Sequence, residues 1–230
     1  MLYENLSWKG AEDCTRTQNT VLVPIGSMEQ HGMHLPLFTD SMIANEIAKK
    51  AGDILGIPVL PVIPIGFSRE HGEFPGTLSV SEARLERYVE DVCKSLKKTG
   101  FYNIVIVNGH GGNRNILEKL CKELTKKLRI KVLTVENFQL INNENCQVHA
   151  DEMETSLMLY LYPHLVRKDK IIDEFPQRFR QDFNGLFHWR KYTKSGVIGY
   201  PSKGTTKKGE LYFNKTVDKL VEFIRNTTRN

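Results

Sequence analysis

Thr20-Val21-Leu22-Val23-Pro24-Ile25-Gly26-Ser27-Met28-Glu29-Gln30-His31-Gly32-Met33-His34-Leu35-Pro36-Leu37-Phe38-Thr39-Asp40 opens as an apolar run and closes as a string of candidate ligands. The first six residues read as a buried strand. The stretch after them carries Glu29, His31, His34 and Asp40. Carboxylate oxygen and imidazole nitrogen together suit zinc, manganese or iron(II). Glu29 and His31 are two apart, so an extended backbone points them to the same side. Asp40 precedes a helical pattern, Ser41 to Ala48, and a carboxylate at a helix N-terminus is favoured by the dipole. Each residue alone reads better as a cap or a loop histidine. Their joint occurrence after a buried strand favours a ligand cluster.

Working outward, the same strand, loop and helix unit returns along the chain. The helix from Ser41 ends near Gly52. Pro58 to Ile65 is apolar and extended, but its three prolines argue against a regular central strand. The loop from Gly66 to Thr77 is dense in ionisable groups. Ser79 or Ser81 can cap a helix with Leu85, Tyr88, Val89 and Val92 at helical spacing, ended by Gly100. A strand over 103–107 runs into Asn108-Gly109-His110-Gly111-Gly112-Asn113, followed by a helix bearing Ile116, Leu117, Leu120, Cys121 and Leu124 on one face. Another strand spans 131–135. A polar segment through Asn145 leads to His149 and a helix ending before Pro163. Residues 164–206 read as an irregular excursion, and a last helix starts near Lys208. Residues 1–19 read as a lead-in.

This order predicts an α/β fold, a three-layer αβα sandwich with a mostly parallel central sheet, formed by residues 1–230 as a single domain. Ligands of such sheets bind beyond the carboxyl ends of the strands. Three successive extended segments end in glycine-bearing loops with chemical residues: Glu29 and His31, then His71 and Glu73, then Asn108 and His110. That agreement points to one shared site.

Bulk properties narrow the function classes. The chain has 230 residues, 40% hydrophobic and 26% charged, which is ordinary for a globular protein. Its net charge of +5 is scattered, with no basic stripe interleaved with aromatics, so a nucleic-acid partner is not expected. The four cysteines form no C-x-x-C pair, and Cys93 and Cys121 fall at buried helical positions. No signal-peptide pattern opens the chain and no apolar run approaches a membrane span. A cytoplasmic protein with no membrane partner is the expectation.

The glycines after Asn108 resemble a phosphate cradle, but the lysine and Ser/Thr of a P-loop are missing and the dinucleotide spacing does not match. A ligand role for His110 reads better. His149 lies five residues before Glu154 at a helix start. A histidine there can carry protons near neutrality. Glu154 can bind a metal, hold another side chain, or serve as a first-turn acid. Asp151 and Glu152 read as solvated first-turn acids. No serine sits in a nucleophile elbow and no cysteine in a glycine-rich turn.

Taken together, the chain resembles the creatininase family. The matching motifs are Pro24-Ile25-Gly26-Ser27-Met28-Glu29-Gln30-His31-Gly32 with Leu35-Pro36 and Thr39-Asp40, then Phe74-Pro75-Gly76-Thr77, Asn108 to Asn113, and Glu154-Thr155-Ser156. The resemblance implies a three-layer α/β fold, two divalent metal ions per chain (zinc, manganese or iron), amide hydrolysis, and a homo-oligomer, commonly a hexamer. It implies Glu29, His31, Asp40 and His110 as metal ligands, with Asp40 bridging, and His149 as the proton shuttle. One departure stands out: Gly112 occupies the position of a glutamate ligand in creatininase itself, and the tryptophans that close over creatinine have no clear counterpart. Family branches with Gly-Gly here include a formamide hydrolase of flavin and deazaflavin precursor synthesis and a maturase of radical-modified peptides. Glu154 then becomes both a catalytic candidate and the ligand that Gly112 cannot supply.

The expected function is a metal-dependent amidohydrolase cleaving a cyclic, formyl or other non-peptide C–N bond of a small-molecule amide. The metals would polarise the carbonyl and lower the pKa of a bridging water to give hydroxide. The alternatives are a non-catalytic metal- or ligand-binding protein on the same fold, and a maturation peptidase for a modified peptide.

Overall fold

The computed structural model describes residues 1–136, 149–176 and 188–228. Among them are three parallel strands, β1 (Thr20–Ile25), β2 (Asn103–Asn108) and β3 (Lys131–Glu136), hydrogen-bonded in that order. Val21 lies opposite Ile104, and Ile104 opposite Val132. The helices are α1 (Trp8–Thr17), α2 (Thr39–Leu55), α3 (Glu82–Thr99), α4 (Arg114–Leu128), α5 (Glu152–Leu161) and α6 (Thr206–Thr228).

Two cores show why the strands read as unbroken apolar runs. Val21, Val23, Ile25, Ile104, Ile106 and Val132 pack with Leu85, Val89 and Leu96 of α3 and Ile116, Leu120 and Leu124 of α4. Leu22, Val105, Val107 and Val135 pack with Ile43 and Ile47 of α2, Met153 and Leu157 of α5, and Phe213, Val217 and Leu220 of α6. Alternate residues of each strand therefore enter opposite cores. The expected three-layer α/β architecture is the observed one, and the three strands among the described residues are all parallel. Cys93 and Cys121 are buried among the α3 and α4 apolar residues as free thiols.

Several local expectations are corrected. The lead-in is helical over Trp8–Thr17, capped by Ser7, whose Oγ accepts from Gly10 N at 3.1 Å. Only Cys14 of that helix is buried, so its apolar stripe is too thin to read. The helix after the ligand-rich loop begins at Thr39, which places Asp40 inside its first turn. The proline-rich segment, by contrast, is as expected: it lies extended along β1 without joining the ladder as a regular strand. Leu22 N donates to Pro58 O at 3.0 Å, Leu60 N to Leu22 O at 2.9 Å and Ile63 N to Pro24 O at 2.9 Å. Pro58, Pro61 and Pro64 have no N–H to continue it. Asp151 is buried and caps α5, accepting from Met153 N and Glu154 N at 2.8 and 3.1 Å. The expected polar segment up to Asn145 lies outside the described residues.

Candidate metal centre

Because the strands are parallel, the loops after β1 and β2 leave the same end of the sheet, and α2 starts there too. Asp40 enters at this end between the two strand loops. Glycine makes the room: a Cβ on Gly26 would lie 2.5 Å from Ser41 N, and one on Gly109 would lie 2.5 Å from Asp40 O.

Asp40 lies at the middle of the cluster. His31 Nε2 is 2.9 Å from its Oδ1, and His110 Nδ1 is 3.0 Å from its Oδ2. Glu29 Oε2 is 3.2 Å from His110 Nδ1, and Glu154 Oε1 is 3.9 Å from His31 Nε2. Donor atoms of Glu29, Asp40 and His110 converge in one group, those of His31, Asp40 and Glu154 in a second, each within 4.8 Å of one another. A third grouping joins Glu29, His31 and His149. All six residues are buried. The structure thus brings together Glu29, His31, Asp40, His110, His149 and Glu154, but not His34 or Glu73.

The hydrogen-bond partners assign the ring tautomers. His31 Nδ1 faces the Glu29 carbonyl at 3.1 Å and His110 Nε2 the Phe67 carbonyl at 2.9 Å, so each ring gives its outward proton to a carbonyl. The inward nitrogens are turned to the carboxylates. His149 Nε2 lies 2.7 Å from the Gln30 carbonyl and donates to it, which leaves the Nδ1 lone pair facing Glu29 Oε1 at 3.7 Å. The two amide hydrogens of Gln30 are used by His71 Nδ1 and Gly196 O, both at 3.0 Å. His71 therefore carries its proton on Nε2, aimed at Glu29 Oε1 at 3.3 Å.

Charge follows from these neighbours. Burial penalises a charged His31, but Asp40, Glu154 and Glu29 outweigh it and lift its pKa from 6.5 to about 10. His110 is likewise pulled down by burial and raised well above the usual value by Glu29 and Asp40. Burial opposes the Asp40 charge, yet His31 and His110 hold it below the ordinary carboxylate range. Glu154, dominated by burial, rises to about 8. Burial and nearby cationic imidazoles push His149 and His71 well below 6.5. Without metal, protons shared between imidazole and carboxylate hold the cluster together.

Further residues also reach the site. His71, placed with Glu73 at the shared site by the sequence but given no role there, stacks on His149 with ring centroids 4.3 Å apart and meets Trp189 at 4.4 Å. Its partner in the sequence reading, Glu73, instead pairs with His188 at 3.3 Å near the surface. His34 turns away from the cluster, its Nε2 2.9 Å from Thr155 Oγ1. Glu70, adjacent to His71, is buried with its Oε1 3.7 Å from His110 Nε2. Trp189 approaches from the irregular excursion, where no helical or strand period marks it.

Comparison with known proteins agrees with this geometry. The family model described as creatinine amidohydrolase, Creatininase, matches residues 4–224. The chain is 33% identical to the mycofactocin precursor peptide peptidase of Mycolicibacterium smegmatis, over 89% of this chain and 84% of that one. It is 26% identical to the creatinine amidohydrolase of Pseudomonas putida, over 96% and 94%. It is 28% identical to a 2-amino-5-formylamino-6-ribosylaminopyrimidin-4(3H)-one 5'-monophosphate deformylase of Methanococcus maripaludis, over 89% and 90%. Among solved structures, a mutant creatininase of Zn-Zn type superposes with TM-score 0.91 at 25% identity, covering all of this chain and 98% of that one. Both the match across nearly the whole chain and the superposition span the strand ends that carry the cluster, and on that basis the chain belongs to the creatininase family.

Proposed function

We propose that this protein is a metal-dependent hydrolase of an amide C–N bond, with two divalent ions held at the end of the parallel sheet. The observation that carries the reading is the pair of donor groups sharing Asp40, Glu29–Asp40–His110 and His31–Asp40–Glu154. Their chemistry fits such ions. Glu29 Oε2 faces the inward His110 Nδ1 at 3.2 Å, so both atoms offer lone pairs in a buried site once the proton between them is lost. Both imidazoles already give their outward protons to carbonyls, the arrangement that presents a neutral nitrogen to a metal. Bound ions would supply Lewis-acid polarisation of the carbonyl and a water of lowered pKa.

The protein's own groups supply the rest. Asp40 and Glu29 provide the anionic charge, and Glu154 provides the carboxylate that Gly112 cannot. A Cβ at Gly112 would lie 2.4 Å from both His110 Nε2 and Phe67 O, so this loop has no room for a side chain. His149, with its Nδ1 lone pair turned inward, accepts a proton and returns it to the leaving nitrogen. His71 stacks against it, Trp189 meets it edge-on, and together they shield the proton-transfer path from water.

The substrate class is a small cyclic or formyl amide. A second reading, cleavage of a modified peptide during its maturation, is favoured by the 33% identity to the mycofactocin precursor peptide peptidase. Zinc, manganese and iron are the candidate ions. Zinc and manganese are supported by the Zn-Zn type and manganese creatininase structures. The proposal includes a cytoplasmic homo-oligomer, whose size light scattering would measure.

Elemental analysis followed by turnover of creatinine, formamidopyrimidines and short peptides tests the reading. The expectation is two ions per chain, hydrolysis of at least one panel amide, and loss of both ions and activity in Asp40→Ala with the fold intact. Tight metal binding without turnover across the panel would favour the non-catalytic alternative. Two ions retained in Asp40→Ala would refute its bridging role.

A further inference from the structure

One short segment, Phe67-Ser68-Arg69-Glu70-His71, lies against the outer side of only one of the two donor groups. Around His110 Nε2 it places the Phe67 carbonyl at 2.9 Å, Ser68 Oγ at 3.3 Å and Glu70 Oε1 at 3.7 Å. Against Glu29 Oε1 it places His71 Nε2 at 3.3 Å. His110 and Glu29 are two of the three donors of the Glu29–Asp40–His110 group. His31 is held instead by the Glu29 carbonyl, and Glu154 Oε2 by Ala150 N at 2.6 Å.

Two features of the segment need a reason. Glu70 is buried, and its Oε2 has no hydrogen-bond partner among the described residues. Burying a carboxylate oxygen without a partner is costly, so such a group marks a role other than folding. Gly112 provides the second feature. It does not adopt a left-handed backbone, yet a Cβ there would lie 2.7 Å from Glu70 Oε1 as well as against His110 and Phe67. The glycine therefore serves space, and the space is taken by the Glu70 carboxylate beside the His110 ring.

We propose that the Phe67–His71 segment is the brace of one metal position, with Glu70 and His71 as positioning residues that make the two positions unequal. Glu70 puts negative charge beside the outward N–H of His110, which raises the electron density of the nitrogen facing the ion. His71 donates to Glu29 Oε1 and turns its other oxygen, Oε2, toward the cluster. The His31–Asp40–Glu154 position has no such support from this segment. The inference rests on the two-ion reading above.

The test is calorimetric titration of metal-free wild type and variants with manganese chloride and, separately, zinc chloride at one pH. Wild type should show two classes of site. Glu70→Ala should weaken one of them by about 10–100-fold, the usual effect of removing an outer partner, and leave the other within about threefold. Glu70→Gln should weaken the same class by less than Glu70→Ala, because its amide oxygen still faces the His110 N–H but carries no negative charge. His71→Ala should weaken the same class. Adding Glu154→Gln to Glu70→Ala identifies the position: the ion that remains strong after Glu154→Gln alone should be the one that Glu70→Ala releases. Equal weakening of both classes, or no weakening in Glu70→Ala, overturns the assignment and leaves the two-ion reading standing. A wild-type protein that binds no divalent ion overturns both.

Discussion

His149 depends for its chemistry on which ring nitrogen carries the proton. The Gln30 carbonyl fixes that proton on Nε2, and burial with His71 and His31 nearby keeps the ring neutral. A neutral imidazole with an inward lone pair is a proton acceptor. His149→Ala should therefore keep both ions and slow turnover by about 10²–10⁴-fold, the range for an acid–base group. Metal content by elemental analysis beside the kcat measurement checks this, and loss of an ion would instead make His149 a ligand within the Glu29–His31–His149 grouping. Glu136, at the end of β3, makes a separate residue-scale statement. Burial lifts its pKa from 4.5 to about 7, even though both its oxygens accept from Asn108 Nδ2 at 2.9 Å. A raised acid pKa means that the folded chain holds the proton more tightly than the unfolded one. The stabilisation is complete below 4.5 and disappears as pH rises through about 7. Glu136→Gln cannot ionise, so relative to it the metal-free wild type should lose on the order of 2–3 kcal/mol between pH 4.5 and 8, at about 1.4 kcal/mol for each tenfold change in the acid constant. Urea unfolding of both proteins at the two pH values measures the difference.

At the scale of elements, the site exists because α2 starts directly over the ends of β1 and β2. Ser41 Oγ donates to Ser27 O at 2.9 Å, and Ser27 Oγ to Asp40 Oδ2 at 2.8 Å. Asn113 ties the loops together, its Nδ2 donating to Gly26 O at 3.0 Å and its Oδ1 accepting from Phe67 N at 2.8 Å. The close approach of α2 requires Gly109, whose Cβ would meet the Asp40 carbonyl at 2.5 Å and Ala44 Cβ at 2.9 Å. Gly109→Ala should push the helix start outward, costing about 1–3 kcal/mol as an overpacked site and displacing the Asp40 carboxylate. The expected outcome is a lower thermal midpoint together with weaker binding at both proposed metal positions, since Asp40 belongs to both donor groups. A variant with full metal affinity would show that the helix start does not need its present approach.

At the scale of the whole molecule, two ions would join β1, β2, α2 and the start of α5 through side chains that are distant in sequence. Ligand bound only to the folded state stabilises by about 2.7 kcal/mol per site at a concentration 100 times its Kd. For a chain of this length 1 kcal/mol corresponds to about 2–4 °C in Tm, so two saturated sites are worth on the order of 10–20 °C. Dialysis against a chelator should lower Tm by about that much, with far-UV circular dichroism unchanged at 25 °C and recovery on adding zinc or manganese. An unchanged Tm would mean that the cluster is held by its own imidazole–carboxylate pairs alone. Among the described residues no helix is long and apolar enough to cross a membrane.

Read alone, the sequence determined the layers and most of the candidate cluster. Buried parallel strands are apolar on both faces, so residues 20–25 and 103–107 appear as unbroken runs, and amphipathic helices between them show a 3.6-residue period. Glu29, His31, Asp40 and His110 were legible because chemistry-bearing residues sit in motifs immediately after strands or at a helix start. The tertiary structure decided what local patterns cannot carry. The helix over Trp8–Thr17 buries too little to show a stripe. Asp151 looks like a solvated acid until its bonds to α5 are seen. His71, Glu70 and Trp189 acquire their place only when the loop after the proline-rich segment and the irregular excursion fold over the sheet end. Glu154 met His31 only through α5 packing beside α2. The choice of nitrogen on each histidine was set by carbonyls, Phe67 O for His110 and Gln30 O for His149, and a backbone carbonyl leaves no mark in the identity of the residue that carries it.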